Sequence, residues 1–194
     1  MNQNQEKQPT VFIVDDDPAI RFAMQALMDS VNIDHEIFPS GDEFLENVDD
    51  HRAGCIVLDI RMPGLGGLEL QEELIKRGST LPIIFITGHG DVPMAVDAMQ
   101  KGAVDFIQKP FRDQDLLDRI REALKTDQER REEQQKHAEV AERLARLTNR
   151  EREVFDLVVT GKPNKVIAYE LGVSQRTVEI HRARVMEKMQ ARSL

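Results

Sequence analysis

The sequence lacks several features that would mark particular classes of protein. Its 194 residues include one cysteine, one tyrosine and no tryptophan. A single cysteine excludes an internal disulfide, and Cys55 lies inside an apolar run, where a small core residue is expected. No apolar run approaches the roughly 18 residues of a membrane span, and the polar start (MNQNQEKQ) has no signal-peptide character. We therefore expect a soluble, cytoplasmic protein without a membrane partner.

Positive charge is also scarce in most of the chain. Residues 1–125 contain 12 Lys and Arg against 23 Asp and Glu, a net charge of −11. Residues 126–147 carry −1, whereas residues 148–194 carry +3. An acidic front and a mildly basic tail predict two domains with different partners. We assign residues 1–125 and 148–194 to these domains and residues 126–147 to a linker.

Five short apolar runs alternate with amphipathic helical patterns in the acidic part. The runs lie at residues 11–14, 33–38, 55–58, 82–87 and 103–107. Apolar runs rich in β-branched residues are typical of strands that are buried on both faces of a parallel sheet. The alternation predicts an α/β doubly wound (βα)5 domain.

Polar residues follow these runs at the points where the strands end. Asp15 and Asp16 follow the first strand, Asp59 the third, Thr87 ends the fourth and Lys109 follows the fifth. The carboxyl ends of parallel strands share one edge of the sheet, where such folds bind ligands. An oxygen-rich acidic site suits Mg²⁺, and a hydroxyl and an ammonium would stabilise a phosphoryl group. The alternatives are an acidic edge held by a lysine salt bridge and, for Asp59 alone, a helix cap.

The stretch between the two domains is almost entirely charged or Gln. Its residues are good helix formers, with no Gly or Pro between Lys125 and Arg146. Apolar residues appear only at Val140, Leu144 and Leu147, too few for a sustained coiled coil. We predict a solvated helical linker, with a dimerising helix as the alternative.

The basic tail contains three short helical patterns. Thr148 and Glu151 fit a capping box, Asn164 begins a second helix that ends at Gly172, and Ser174 caps a third. Two short helices joined by Leu-Gly-Val-Ser, the second rich in Arg, His and Thr, predict a small all-α helix-turn-helix domain.

The first domain resembles the receiver domain of two-component response regulators. The motifs that carry this resemblance, in order over residues 9–125, are Asp15-Asp16, Leu58-Asp59-Ile60-Arg61-Met62-Pro63-Gly64, Thr87-Gly88 and Asp105-Phe106-Ile107-Gln108-Lys109-Pro110. The resemblance implies that Asp59 accepts a phosphoryl group. It also implies that Asp16, Asp59 and the backbone carbonyl of Arg61 bind Mg²⁺, with Asp15 helping directly or through water.

The same resemblance implies how the domain switches. Thr87 would move to hydrogen-bond the phosphoryl group, Lys109 would pair with it, and Phe106 would change rotamer. The Lys109-Pro110 bond would be cis, which only proline makes inexpensive. The change would be read on the surface between residues 92 and 124, which commonly dimerises in this family.

The second domain resembles the LuxR-type helix-turn-helix, and the two domains together resemble the FixJ group. The motifs are residues 147–154, Gly161, residues 164–168, residues 174–189 and, in the receiver, residues 87–96. The resemblance implies a recognition helix from Ser174 to Gln190 in the major groove, with Glu179, Ile180, Arg182 and Ala183 near base edges. Phosphate contacts would come from Lys165, Arg176, Thr177, His181 and Lys188, each with a solvated helix face as the alternative. The family's last helix would follow Arg192-Ser193-Leu194, so we expect this domain to lack it.

These features predict a transcriptional response regulator and not an enzyme. A histidine kinase would phosphorylate Asp59, and the resulting homodimer would bind promoter DNA, with RNA polymerase as a further candidate partner. One alternative is a phosphohydrolase of the haloacid-dehalogenase type, since Asp15-Asp16-Asp17 contains Asp-x-Asp. However, Pro18-Ala19-Ile20 follows where that family has Thr or Val. The other alternative is a DNA-binding regulator that protein partners control independently of phosphorylation, similar to a promoter-recognising sigma segment.

Overall fold

A parallel sheet forms the frame of the first part of the chain. The computed structural model describes residues 8–49, 51–88 and 92–191. The strands in these ranges are β1 (Thr10–Val14), β2 (His35–Phe38), β3 (Gly54–Asp59), β4 (Ile83–Thr87) and β5 (Asp105–Gln108). Every neighbouring pair is parallel, in the order β2-β1-β3-β4-β5. The predicted sheet is therefore confirmed.

Helices cover both faces of this sheet. They are α1 (Pro18–Ser30), α2 (Gly41–Asn47), α3 (Gly67–Lys76), α4 (Val92–Gln100) and α5 (Asp113–Ala145). Alternate residues of the strands point to opposite faces, so the sheet has two apolar cores. Phe12, Leu58 and Phe85 pack with residues of α2, α3 and α4, while Val57 and Ile84 pack with α1 and α5. This arrangement confirms the doubly wound fold.

Helix α5 continues well past the sheet. Its buried residues are Leu116, Leu117, Ile120, Ala123 and Asp127, and none of its residues from Gln128 to Ala145 is buried. The predicted fifth helix and the predicted helical linker thus form one helix of 33 residues. The chain divides into two compact units within this helix, between Arg130 and Arg131.

The last buried residue of α5, Asp127, has a charged side chain. Asp127 is 1% exposed, and its Oδ2 accepts a hydrogen bond of 3.0 Å from the backbone N–H of Gly54, the first residue of β3. Its Oδ1 accepts from Arg130 Nη2 at 3.1 Å. Asp127 therefore attaches the helix to the amino end of the strand that carries Asp59.

After the end of α5, the described residues of the second unit form three short helices around a small apolar core. The helices are α6 (Asn149–Val158), α7 (Asn164–Leu171) and α8 (Gln175–Met189), and the core residues are Val154, Val158, Ile167, Ala168 and Val178. Thr148 and Glu151 form the predicted capping box, and Ser174 Oγ accepts from Thr177 N at 3.1 Å. Gly172 ends α7 with a φ of 63°, a conformation that glycine adopts without steric cost. The predicted helix-turn-helix is confirmed.

Two parts of the predicted motifs lie outside the described residues. One is His89-Gly90-Asp91, after β4, and the other is Arg192-Ser193-Leu194.

Candidate functional site

Two buried carboxylates lie at the carboxyl ends of adjacent strands. Asp15 follows β1 and Asp59 ends β3, and these strands pair with Val14 opposite Leu58. Asp15 is 2% exposed and Asp59 is 8% exposed. Asp59 does not cap the next helix, because the N-cap of α3 is Gly66. Two like charges at such depth require a compensating cation.

Lys109 supplies that cation. It follows β5, and its bond to Pro110 is cis, as predicted. Its backbone N–H donates to Thr87 O at 2.7 Å, which places the residue beside the end of β4. Its Nζ donates to Asp59 Oδ1 at 2.7 Å and to Asp15 Oδ2 at 3.0 Å. One ammonium thus bridges two carboxylates that come from different strands.

Backbone groups hold the other oxygens of the two carboxylates. Asp59 Oδ2 accepts from Arg61 N at 2.9 Å, and Asp15 Oδ1 accepts from Asp17 N at 2.8 Å. Arg21 Nη1 donates to the backbone carbonyl of Asp15 at 2.6 Å. Arg21 could not be recognised from the sequence, where its only signal is its place one turn after the Asp17 cap. These contacts orient both carboxylates.

A close approach of backbone to backbone fixes the loop after Asp59. Gly67 N donates to Ile60 O at 3.0 Å, and a Cβ on Gly67 would lie 2.3 Å from Asp59 O. No side chain fits there without movement of the backbone. Sequence reasoning missed this role, and the Gly66-Gly67 pair was its only trace.

Burial and charge act together on the ionisation of the cluster. Burial raises the pKa of Asp59, the contact with Lys109 lowers it, and the negative charge of Asp15 raises it, so the pKa is raised overall. Burial would lower the pKa of Lys109, but its hydrogen bonds to Asp59 and Asp15 outweigh that effect and raise it. Lys109 therefore keeps its positive charge between the two carboxyl groups.

The donors of this cluster fit Mg²⁺ by their chemistry. In the described part of the chain, no group of three or more His, Cys, Asp or Glu side chains is arranged to hold a metal ion. Mg²⁺ needs fewer, because it is usually bound by one or two carboxylates together with water and phosphate oxygens. Asp15 and Asp59 supply such a pair, and Asp16 is exposed next to them. The metal-binding roles of Asp16 and of the Arg61 carbonyl stay predictions.

The two predicted switch residues lie on the adjacent strands. Thr87 ends β4 and is 3% exposed, and Asp59 lies opposite Ile86 in the register of β3 and β4. Phe106 lies in β5, opposite Phe85 of β4. It is half-buried and packs on the apolar core beneath α2, α3 and α4. Their movement on phosphorylation stays a prediction.

The predicted DNA-contacting residues fall into two sets in the second unit. The exposed set is Lys165, Arg176, Glu179, Ile180 and Ala183, and the half-buried set is Thr177, His181, Arg182 and Lys188. Thr177 Oγ1 lies 2.8 Å from Ser174 Oγ, and Arg182 Nη1 donates to Asn164 Oδ1 at 3.1 Å. The DNA contacts themselves stay predictions.

An ion pair that sequence reasoning did not predict connects the first turn of α6 with the end of α8. Lys188 Nζ donates to Glu151 Oε2 at 2.6 Å and to Arg146 O at 3.1 Å. The hydrogen bond from Lys188 and that from Thr148 N lower the pKa of Glu151 to about 2. Glu151 therefore serves the capping box and the packing of α8 together.

Comparisons with known protein families match both units. The model described as "Response regulator receiver domain" matches residues 11–121, and the one described as "Bacterial regulatory proteins, luxR family" matches residues 145–194. No helix in the described ranges has both the length and the apolar character to cross a membrane.

Several curated and solved proteins are similar over nearly the whole chain. Nodulation protein W of Bradyrhizobium diazoefficiens is 48% identical over 95% of this chain and 81% of its own length. Transcriptional regulatory protein FixJ of Azorhizobium caulinodans is 45% identical over 95% of this chain and 87% of its own. The solved response regulator StyR has a TM-score of 0.90 at 43% identity, covering 96% of this chain and 94% of that one.

The solved full-length FixJ from B. japonicum has a TM-score of 0.61 at 40% identity, covering 96% of this chain and 92% of that one. Both family matches agree with the geometry of the two units. The FixJ relative is named as a transcriptional regulatory protein. The chain belongs to the response regulators of the FixJ group, which combine a receiver domain with a LuxR-type DNA-binding domain.

Proposed function

We propose that the protein is a transcription regulator switched by phosphorylation of Asp59. The observation that carries this proposal is the Lys109 ammonium between Asp59 and Asp15 at the edge of the sheet. In this proposal residues 1–125 are the receiver, residues 126–147 the linker and residues 148–194 the DNA-binding domain.

The transfer itself is a displacement at phosphorus. A carboxylate oxygen of Asp59 attacks the phosphoryl group of a phosphohistidine in a kinase, the P–N bond breaks, and the imidazole takes the electron pair. Asp15, Asp16, Asp59 and the Arg61 carbonyl would hold Mg²⁺, which when bound neutralises charge on the phosphoryl oxygens. Lys109 keeps a positive charge beside the accepting carboxylate, where it stabilises the negative charge on the oxygens of the transferred phosphoryl group.

The phosphoryl group then changes the balance of the cluster. It adds roughly 1.5 to 2 negative charges and three acceptor oxygens to an acidic site. The Thr87 hydroxyl and the Lys109 ammonium are the donors that respond, and Phe106 follows Thr87. The surface of residues 92–124 then pairs two copies and presents two α8 helices to promoter DNA, with RNA polymerase as a further partner.

The test is phosphorylation of the full chain by acetyl phosphate with Mg²⁺. We expect one acid-labile phosphoryl group on the wild type and none on Asp59→Asn. The control is Asp34→Asn, an exposed residue before β2 at the opposite edge of the sheet, which should be labelled like the wild type. Molecular mass and DNA retention, measured on the same samples, should rise with labelling.

Each other outcome has a definite meaning. Labelling of Asp59→Asn would contradict the assignment of the acceptor, and no labelling of the wild type would reduce the cluster to a structural ion pair. If the DNA affinity changes neither with the phosphodonor nor in Asp59→Asn, a regulator controlled by protein partners would be favoured.

A further inference from the structure

The outward face of α8 has an apolar centre. Ile180 is 47% exposed, and Arg176, Glu179 and Ala183 are exposed around it. Ile180 lies four residues after Arg176 and three before Ala183, which places them on one face of a helix. Val178 and Val185 are buried on the opposite face. A large aliphatic side chain thus lies at the middle of the exposed, otherwise mainly charged surface of this helix.

Two of the cations of α8 are committed to the domain itself. Arg182 donates to Asn164 at the start of α7, and Lys188 pairs with Glu151 in α6. These contacts hold α8 against its two neighbouring helices. The exposed face that Arg176, Glu179, Ile180 and Ala183 form takes no part in these two contacts and can meet base edges.

The major groove offers one apolar group to such a face. Each base pair presents its own pattern of donors and acceptors there, and the 5-methyl of thymine is the group that aliphatic side chains contact. Ile180 lies in the N-terminal half of α8, six residues after the Ser174 cap, and that half of a recognition helix meets base edges.

We propose that Ile180 is a specificity-determining residue that contacts the 5-methyl group of a thymine in the operator. This inference rests on the proposed function, because it requires α8 to enter the major groove. Removal of the methyl group uncovers apolar surface on both partners. Loss of a contact of that size weakens binding roughly fourfold.

The experiment separates the methyl group from every other feature of the base. The full chain, treated with acetyl phosphate and Mg²⁺, selects its preferred duplexes from a randomised DNA library. Each thymine of the selected site is then replaced singly by uracil, which lacks only the methyl group. Affinities are measured for the wild type, for Ile180→Ala and for the control Ile75→Ala, an isoleucine on α3 that is 52% exposed.

We expect one thymine at which uracil weakens the wild type and Ile75→Ala roughly fourfold but leaves Ile180→Ala unchanged. Equal uracil effects in the wild type and Ile180→Ala at every thymine would overturn the inference and leave the proposed function intact. If the wild type enriches no sequence, DNA recognition fails and the inference fails with it. Thermal melting of Ile180→Ala at the wild-type temperature verifies that the variant is folded.

Discussion

The ammonium of Lys188, near the end of α8, lies 2.6 Å from Oε2 of Glu151 in the first turn of α6. Glu151 Oε2 also accepts from Thr148 N at 2.9 Å, so one carboxylate oxygen connects a helix start with the end of another helix. The stability of the DNA-binding unit therefore depends on an ionised Glu151.

We expect Lys188→Met to destabilise the DNA-binding unit by about 1–2 kcal/mol, since the nearly buried carboxylate loses its charged donor. The control is Lys162→Met, which removes the more exposed pair with Glu170 and should cost less than about 0.5 kcal/mol. Hydrogen exchange of the α6, α7 and α8 amides in the full chain measures both. Equal protection in the two variants would contradict the assigned role.

The same ion pair predicts a dependence on pH. The pKa of Glu151 is lowered from 4.5 to about 2, so its contribution is complete above 4.5 and is lost as the pH falls toward 2. Between these pH values Lys188→Met should lose less hydrogen-exchange protection than the wild type, because the variant already lacks the ion pair that protonation of Glu151 breaks. A parallel decline of the two proteins from pH 5 to pH 2 would exclude this cause.

Removal of Lys109 should increase the dependence of stability on pH at Asp59, in the opposite sense to the dependence at Glu151. Burial already raises the pKa of Asp59, and Lys109→Met removes the cation that opposes this. A carboxyl with a raised folded-state pKa stabilises the fold at low pH and loses that contribution as the pH rises through its pKa. The variant should therefore be more destabilised, relative to the wild type, at pH 8 than at pH 5 in urea unfolding. Lys101→Met, which removes ion pairs with Glu72 and Asp97, should show no such difference.

Because the backbone approaches Gly67 so closely, one added methyl group at this position should strongly affect stability and phosphorylation. Gly67→Ala would place a Cβ 2.3 Å from Asp59 O, so α3 or the end of β3 must shift. We expect a loss of about 1–3 kcal/mol and slower phosphorylation of Asp59 by acetyl phosphate. In Gly66→Ala the new Cβ meets the flexible end of Glu69, and the effect should be small. Equal labelling rates for the two variants would contradict this account of the loop.

Loss of the Asp127 carboxylate should lower the stability of the receiver, although this residue lies away from the acidic cluster. Asp127→Ala leaves the buried N–H of Gly54 without its acceptor, which should destabilise the receiver by about 1–3 kcal/mol. Asp118→Ala, on an exposed face of the same helix, should change stability by less than about 0.5 kcal/mol. Urea unfolding, monitored through the amides of the receiver, measures both changes in stability. An unchanged midpoint for Asp127→Ala would show that the contact does not contribute.

Local patterns in the sequence determined the elements of this protein and the edge at which its acidic residues meet. Alternating apolar runs and amphipathic helices specify a parallel sheet, and a parallel sheet brings Asp15, Asp59 and Thr87 to one edge whatever the details of packing. In the same way, the Thr148 and Ser174 caps and Gly172 set the limits of the three short helices.

Only the tertiary structure decided which partners the charged side chains take. Lys109 reaches Asp15 across 94 positions of sequence, Gly54 meets Asp127 across 73, and Lys188 meets Glu151 across 37. A pattern of residue types cannot assign such pairs, because a flexible cation pairs with whichever carboxylate helix packing places within about 3 Å. For that reason the ion pair of Lys188 with Glu151 could not be predicted from the sequence, whereas the phosphate contact that the family resemblance implies for Lys188 stays a prediction.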